Sequence, residues 1–222
     1  MGLKNITQAP PGSVSQFATL KVGDVDGGDY TEIEADGTVV NYGNATTWTD
    51  ELGSLLTQRI ESPASKIVLN IAEGSTDFKD TADLTDYVVL SLQINHPWEL
   101  LTPIEPHFHW WQAQAAIPNW LMAYRWQVNG EAKTESWTQA KYEGNVFTYE
   151  SGTLNQITDF PLITPPAGAG LSDIVQIRFH RDNNNDSTLF TGNDPVSGNV
   201  GTMSFDVHKK DNTGGSREEY EK

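Results

Sequence analysis

The feature that most constrains this chain is a hydrophobic alternation of period two, repeated over many short runs. Residues 86–95, DYVVLSLQIN, place Val88, Leu90, Leu92 and Ile94 on one side and Ser91, Gln93 and Asn95 on the other. Residues 202–209, TMSFDVHK, alternate in the same way, with Met203, Phe205 and Val207 expected inward. Successive side chains on a strand point to opposite faces, so this pattern suits a strand with one buried face. Further strand signals lie at 66–71 (KIVLNI), within 98–112 (WELLTPIEPHFHWWQ), and at 119–128 (NWLMAYRWQV), 143–149 (EGNVFTY) and 174–181 (IVQIRFHR). In YTEIEADGTVVNY, 30–42, Asp36-Gly37 between β-branched runs is a hairpin signal. One segment departs from the pattern. In ELGSLLTQRI, 51–60, Leu52, Leu55, Leu56 and Ile60 recur at helical spacing, weakened by Gly53, so a short helix or ordered loop is expected there.

Short strands separated by Gly, Asn, Asp and Pro turns predict an all-β protein, an antiparallel jelly roll or β-sandwich. Composition agrees. Hydrophobic residues make up only 37%, yet there are 7 Trp, as suits a thin core filled by large rings. The jelly-roll domain is expected to span residues 30–209. Residues 1–29, rich in Pro, Gly and Asp, read as an extended N-terminal arm, and 210–222 as a polar C-terminal tail.

Several function classes are disfavoured. The absence of Cys excludes disulfides and thiolate chemistry. A net charge of -16 disfavours a direct grip on nucleic acid and fits docking onto a more basic partner. No run approaches a membrane span, and MGLKNITQAPPGS lacks the apolar core of a signal peptide. Nucleophile-elbow, P-loop and dinucleotide-binding patterns are also missing.

The most enzyme-like stretch is His107-Phe108-His109-Trp110-Trp111. On a strand, His107 and His109 share a face with Glu105 and Trp111, while Phe108, Trp110 and Gln112 take the other. Cupin metalloenzymes present ligands at this spacing, and a third histidine would have to come from His180 or His208. A carboxylate a few residues on is missing, since Gln112 and Gln114 stand there. His107, Phe108, His109, Trp110 and Trp111 are therefore read as structural, in the core or at an interface, with Phe108 and Trp110 or Trp111 filling the core, and no metal or other cofactor is expected. Trp120, Tyr124 and Trp126 share one face with Met122 and Val128 and read as a core stripe rather than a sugar-binding platform. Asp182, Asn184 and Asp186 match the first half of an EF-hand loop, but Ser187 replaces the Gly and Asn193 the closing Glu. Asp24, Asp26 and Asp29 offer similar oxygens without a closing carboxylate.

Taken together, ADGTVVNYGNATTWTDE, IEPHFHWWQ, NWLMAYRWQVNG, VFTYESGTLNQITDFP, IVQIRFHRDNNN and MSFDVHKKDNTGGSREEYEK resemble a family of tailed-bacteriophage virion structural proteins. A PHxHW strand, a Y-x-W strand and an FDxH…GS-x-EE ending recur together in that family, and the likeness covers most of residues 30–222. It implies a noncatalytic component with a jelly-roll core. The expected role is capsid decoration, or cement: a homotrimer bound to the major capsid protein on the outer capsid surface, made in the host cytoplasm. The alternatives are a head-fibre, tail or host-binding component and, further off, a cupin-like metalloenzyme.

Overall fold

The computed structural model describes residues 19–34, 38–53, 59–142 and 154–212. The segments at 143–149 and 213–222, the first 18 residues and Asp36-Gly37 lie outside the described residues, as does 54–58 of the helically spaced stretch. Both flanks of 54–58 are strands, so the helical spacing of its leucines does not extend into its neighbours.

A small antiparallel sheet comes first, made of β1 (Thr19–Asp24), β2 (Asp29–Glu34) and β3 (Val39–Asn41). The described part of the expected N-terminal arm, 19–29, is thus a strand and a tight turn. Its pairing partner is β2, and such a ladder leaves no local trace in a run this polar. Asp24 Oδ1 accepts the Gly27 amide at 3.0 Å across the turn. The β2–β3 pairing is the hairpin that Asp36-Gly37 signalled. A single 3-10 turn, Gly43–Ala45, leads into the main body.

The rest is a sandwich. One sheet runs β11 (Thr138–Lys141), β10 (Trp120–Gln127), β13 (Ile174–Arg181), β8 (Tyr87–Gln93), β5 (Arg59–Glu61). The other runs β12 (Leu154–Asp159), β9 (Glu105–Gln112), β14 (Val200–Asp211), β7 (Ser75–Phe78), β6 (Ile67–Asn70), with β4 (Thr47–Gly53) also paired to β14. The ladders of both sheets are antiparallel. The last strand, β14, lies between early strands (β4 and β7) and β9, while β13 lies between β8 and β10. This double Greek-key order is a jelly roll.

The two inner faces meet in an aromatic core. Trp120 is fully buried and packs edge-on against Phe78, Phe108 and Trp110, at centroid distances of 5.4, 4.9 and 5.9 Å. Phe179 bridges Phe108, Phe160 and Phe205 from the facing sheet. Such ring pairs contribute about 0.5–1.5 kcal/mol each beyond their area burial. Some polar atoms inside are paired: Trp110 Nε1 donates to Thr158 Oγ1 at 2.8 Å, and Gln156 to Gln112 at 2.5 Å.

Alternation holds along β8, where Val88 and Leu90 are buried and Ser91 and Gln93 exposed. It fails once along β14. The ladder to β9 shifts register between Thr202 and Ser204, so Thr202 turns inward and donates to the Thr76 carbonyl. Met203, expected inside, is only half-buried, because a bulge inserts one residue and reverses which side chains face in. Beyond it Phe205 and Val207 are buried, as the pattern required.

Candidate functional site

The residues singled out from sequence separate onto three surfaces. Phe108, Trp110, Trp120 and Trp126 belong to the core, with Tyr124 packed against it. This follows from strand parity: all lie on the inward faces of β9 and β10. His107, His109 and Trp111 occupy the outer face of β9, where His107 is buried and the other two are half-buried. His180 lies on the outer face of the opposite sheet, paired with Leu121 of β10. Of the two histidines considered as distant partners, His208 therefore reaches His107, and His180 stands across the sandwich.

The geometry around His107 follows from three adjacent strands. Asp206 of β14 is the direct cross-strand partner of His107, and His208 that of Glu105. On the far side of β14, Asp50 of β4 stands opposite His208. The side chains then meet: His107 Nε2 lies 2.8 Å from Asp206 Oδ1, and His208 Nε2 2.9 Å from Asp50 Oδ1. The His208 ring sits 4.2 Å from the His107 ring, and His109 lies 5.8 Å away on the other side. Glu105 is 3.8 Å from His208.

His107 and Asp206 are only 3% and 6% exposed, although both are on an outer sheet face, because the neighbouring rings cover them. Burial alone pushes the His107 imidazole down. The hydrogen bond and charge of Asp206, with the charges of Asp159 and Asp50, outweigh it and hold the group above its ordinary value. His180 behaves oppositely: burial and the Arg178 charge lower it to about 4, so it stays neutral at pH 7.

Asp206 and Asp50 supply the carboxylates that the sequence following His109 lacks. Asp206 was visible as a residue sharing the face of His208. Asp50 gave no signal of its own, since only the β4–β14 pairing brings it near.

The calcium-like loops are built for another purpose. Asp182 is buried, and its carboxylate accepts the amides of Asp186 and Ser187 at 2.7 and 3.0 Å, while Asn184 and Asp186 face solvent. The loop is further pinned by fully buried Arg181, which pairs with Asp194 at 2.8 Å and donates to the carbonyls of Phe78, Val196 and Gly198. Asp29, in the earlier acidic turn, accepts the Asn44 amide and side chain at 2.8 and 2.9 Å. In each case the acidic oxygens hold a turn.

Sequence reasoning passed over Trp137. Arg178 stacks between it and Tyr87, at 3.7 and 4.3 Å from the ring centroids, and Arg125 lies 4.5 Å from the Trp137 centroid. This places a cation-π ladder on the outer face of the β8–β13–β10 sheet, with arginines over the indole.

Fold and site together define an antiparallel jelly-roll β-sandwich with a histidine–carboxylate cluster on one outer face. No protein-family model matches the chain. No curated protein matches it either. Among solved structures, that of TmCBM61 in complex with beta-1,4-galactotriose is similar at 10% identity, over 73% of this chain and 88% of that one, with a TM-score of 0.27. A superposition that weak carries no function across, and the fold stands on the strand order.

Proposed function

We propose that this protein is a noncatalytic virion structural protein of a tailed bacteriophage, a decoration protein that binds the outer capsid surface as a homotrimer and stabilises the shell. The observation that carries the reading is the open face of the small N-terminal sheet. Leu20 pairs with Ile33, and Ile33 with Val39, so their side chains form one row, with Val22 beside it on the same face. Leu20, Val22 and Ile33 are 44%, 53% and 37% exposed, and all six β1 residues are exposed. The opposite face is closed by Tyr30 stacked on Tyr42 at 4.5 Å and by Lys21 paired with Glu32 at 3.3 Å.

A strand with an unpaired edge and an apolar face is an interaction surface that no described residue covers. These side chains are already about half covered, so withdrawing the rest of each from water contributes about 1 kcal/mol, enough for several together to hold an arm on a neighbour. The filled core between the sheets and the recurring PHxHW, Y-x-W and FDxH segments support the same reading. The acidic charge fits a basic docking surface on the capsid.

The deciding experiment compares virions with and without this protein. Loss of heat resistance, with hundreds of copies per wild-type particle, is the expected result. Full heat resistance and normal packaging without it would reject the decoration role. A few dozen copies or fewer would instead assign it to a tail or fibre.

A further inference from the structure

The histidine–carboxylate cluster on the β4–β14–β9 outer face has donors to spare. The His107 side chain is 4% exposed, yet its Nδ1 has no hydrogen-bond partner. An orphaned buried nitrogen is costly, a cost that a bound ligand would recover or a repositioned ring would avoid. One ligand atom from each of His107, His109 and Asp206 lies within 4.8 Å of the other two. The same holds for Asp50, Asp206 and His208, so Asp206 is common to both sets. A tetrahedral ion with bonds of about 2.0–2.1 Å needs its ligand atoms about 3.3 Å apart, a closure within reach of small side-chain rotations.

We propose that His107, His109 and Asp206 form a binding site for a divalent transition-metal ion of the Zn2+ class, with His208 beside it. The donor set decides the class. Two imidazoles and one carboxylate suit Zn2+, Ni2+ or Co2+, whereas Ca2+ and Mg2+ seek a shell of oxygens. The ligands come from adjacent strands of a rigid sheet, so the site is largely formed before the ion arrives. Asp50 Oδ1, 2.9 Å from His208 Nε2, orients that ring next to His107. Three protein ligands leave a tetrahedral position open to water, to His208 or to a group on an adjoining molecule. The ion would link β9 to β14, the two strands that join the halves of this sheet.

The test is calorimetric titration of the untagged, chelator-stripped chain with ZnCl2, alongside melting curves with and without the ion. The expected result is one Zn2+ per chain, a melting temperature raised by Zn2+, and at least about tenfold weaker binding in His109→Ala. His109 is half-buried and reads the site without emptying the covered His107 position. Circular dichroism of the same sample confirms that it is folded. His180→Asn, on the other sheet, should bind as the parent does. Absence of binding at about 100 µM Zn2+ would overturn the proposal. So would undiminished binding by His109→Ala, or equal loss in His180→Asn. Virion heat resistance is a separate measurement, so the metal site and the decoration role can fail independently.

Discussion

His107 Nε2 lies 2.8 Å from Asp206 Oδ1, and the two residues are direct partners in the β9–β14 ladder. The pair closes the sheet at the point where the last strand of the chain enters beside an early one. Removing one member leaves the other buried and uncompensated. His107→Ala should therefore destabilise the fold by about 3 kcal/mol. The double variant His107→Ala/Asp206→Ala should cost less than the sum of its singles. Urea denaturation of the four proteins in a double-mutant cycle measures that coupling, and strict additivity would show the contact to be energetically idle.

The β14 bulge makes a sharp distinction between neighbours. Met203→Glu should cost under about 1 kcal/mol, because the bulge turns Met203 partly to solvent, whereas Thr202→Glu places a charge where Thr202 is 8% exposed and should cost several times more. Denaturant midpoints of the two variants check this. The reverse order would restore the unbroken alternation that the sequence suggests.

Two histidines give the stability curve opposite slopes. His180 has a folded value of about 4 against an ordinary 6.5, so between those limits the unfolded chain binds more protons and stability falls as pH falls. The full effect is up to about 3 kcal/mol. His107 is held above its ordinary value, so its contribution is present below pH 6.5 and is lost as pH rises through its folded value. His180→Asn should flatten the decline from pH 6.5 to 4, measured by denaturation at each pH. An unchanged slope over that window would show that His180 does not carry the loss, since carboxylates such as Asp83, lowered to about 2, act mainly below about pH 4.

Association through the small sheet predicts a separation of effects. Leu20→Asp with Val22→Asp should abolish self-association while leaving the melting temperature of the sandwich nearly unchanged, since both side chains are exposed within one chain. Sedimentation and scanning calorimetry on the same samples give both readouts. A fully trimeric double variant would move the interface elsewhere.

Core truncation should be severe and local to the rings. Trp120→Ala removes a side chain that touches Phe78, Phe108 and Trp110 and should cost about 3–5 kcal/mol. Trp120→Phe keeps part of the edge-on packing and should cost less than half as much. Equal losses in the two variants would show that the retained edge-on packing contributes little at this position.

The sequence by itself determined the all-β class, strands within 86–95, 98–112, 119–128, 174–181 and 202–209, and the inward residues Val88, Leu90, Phe108, Trp120 and Phe205, while the choice between Trp110 and Trp111 was left to the fold. Those depend on the two-residue period, which is local and written in the chain. The β1 strand escaped notice because TLKVGD alternates weakly and is exposed throughout, so burial left no mark on it. The Met203 bulge was equally hidden, since a register shift belongs to a pair of strands and not to either one.

Only the tertiary structure decided the fate of His107 and His109. Downstream in the chain they lacked a carboxylate, and four side chains from β14, β4 and the start of β9 supply the surroundings: Asp206, His208, Asp50 and Glu105. Strand parity placed the imidazoles on the outer face. The jelly-roll order then chose their neighbours, because ladder pairing joins residues without regard to their separation in sequence.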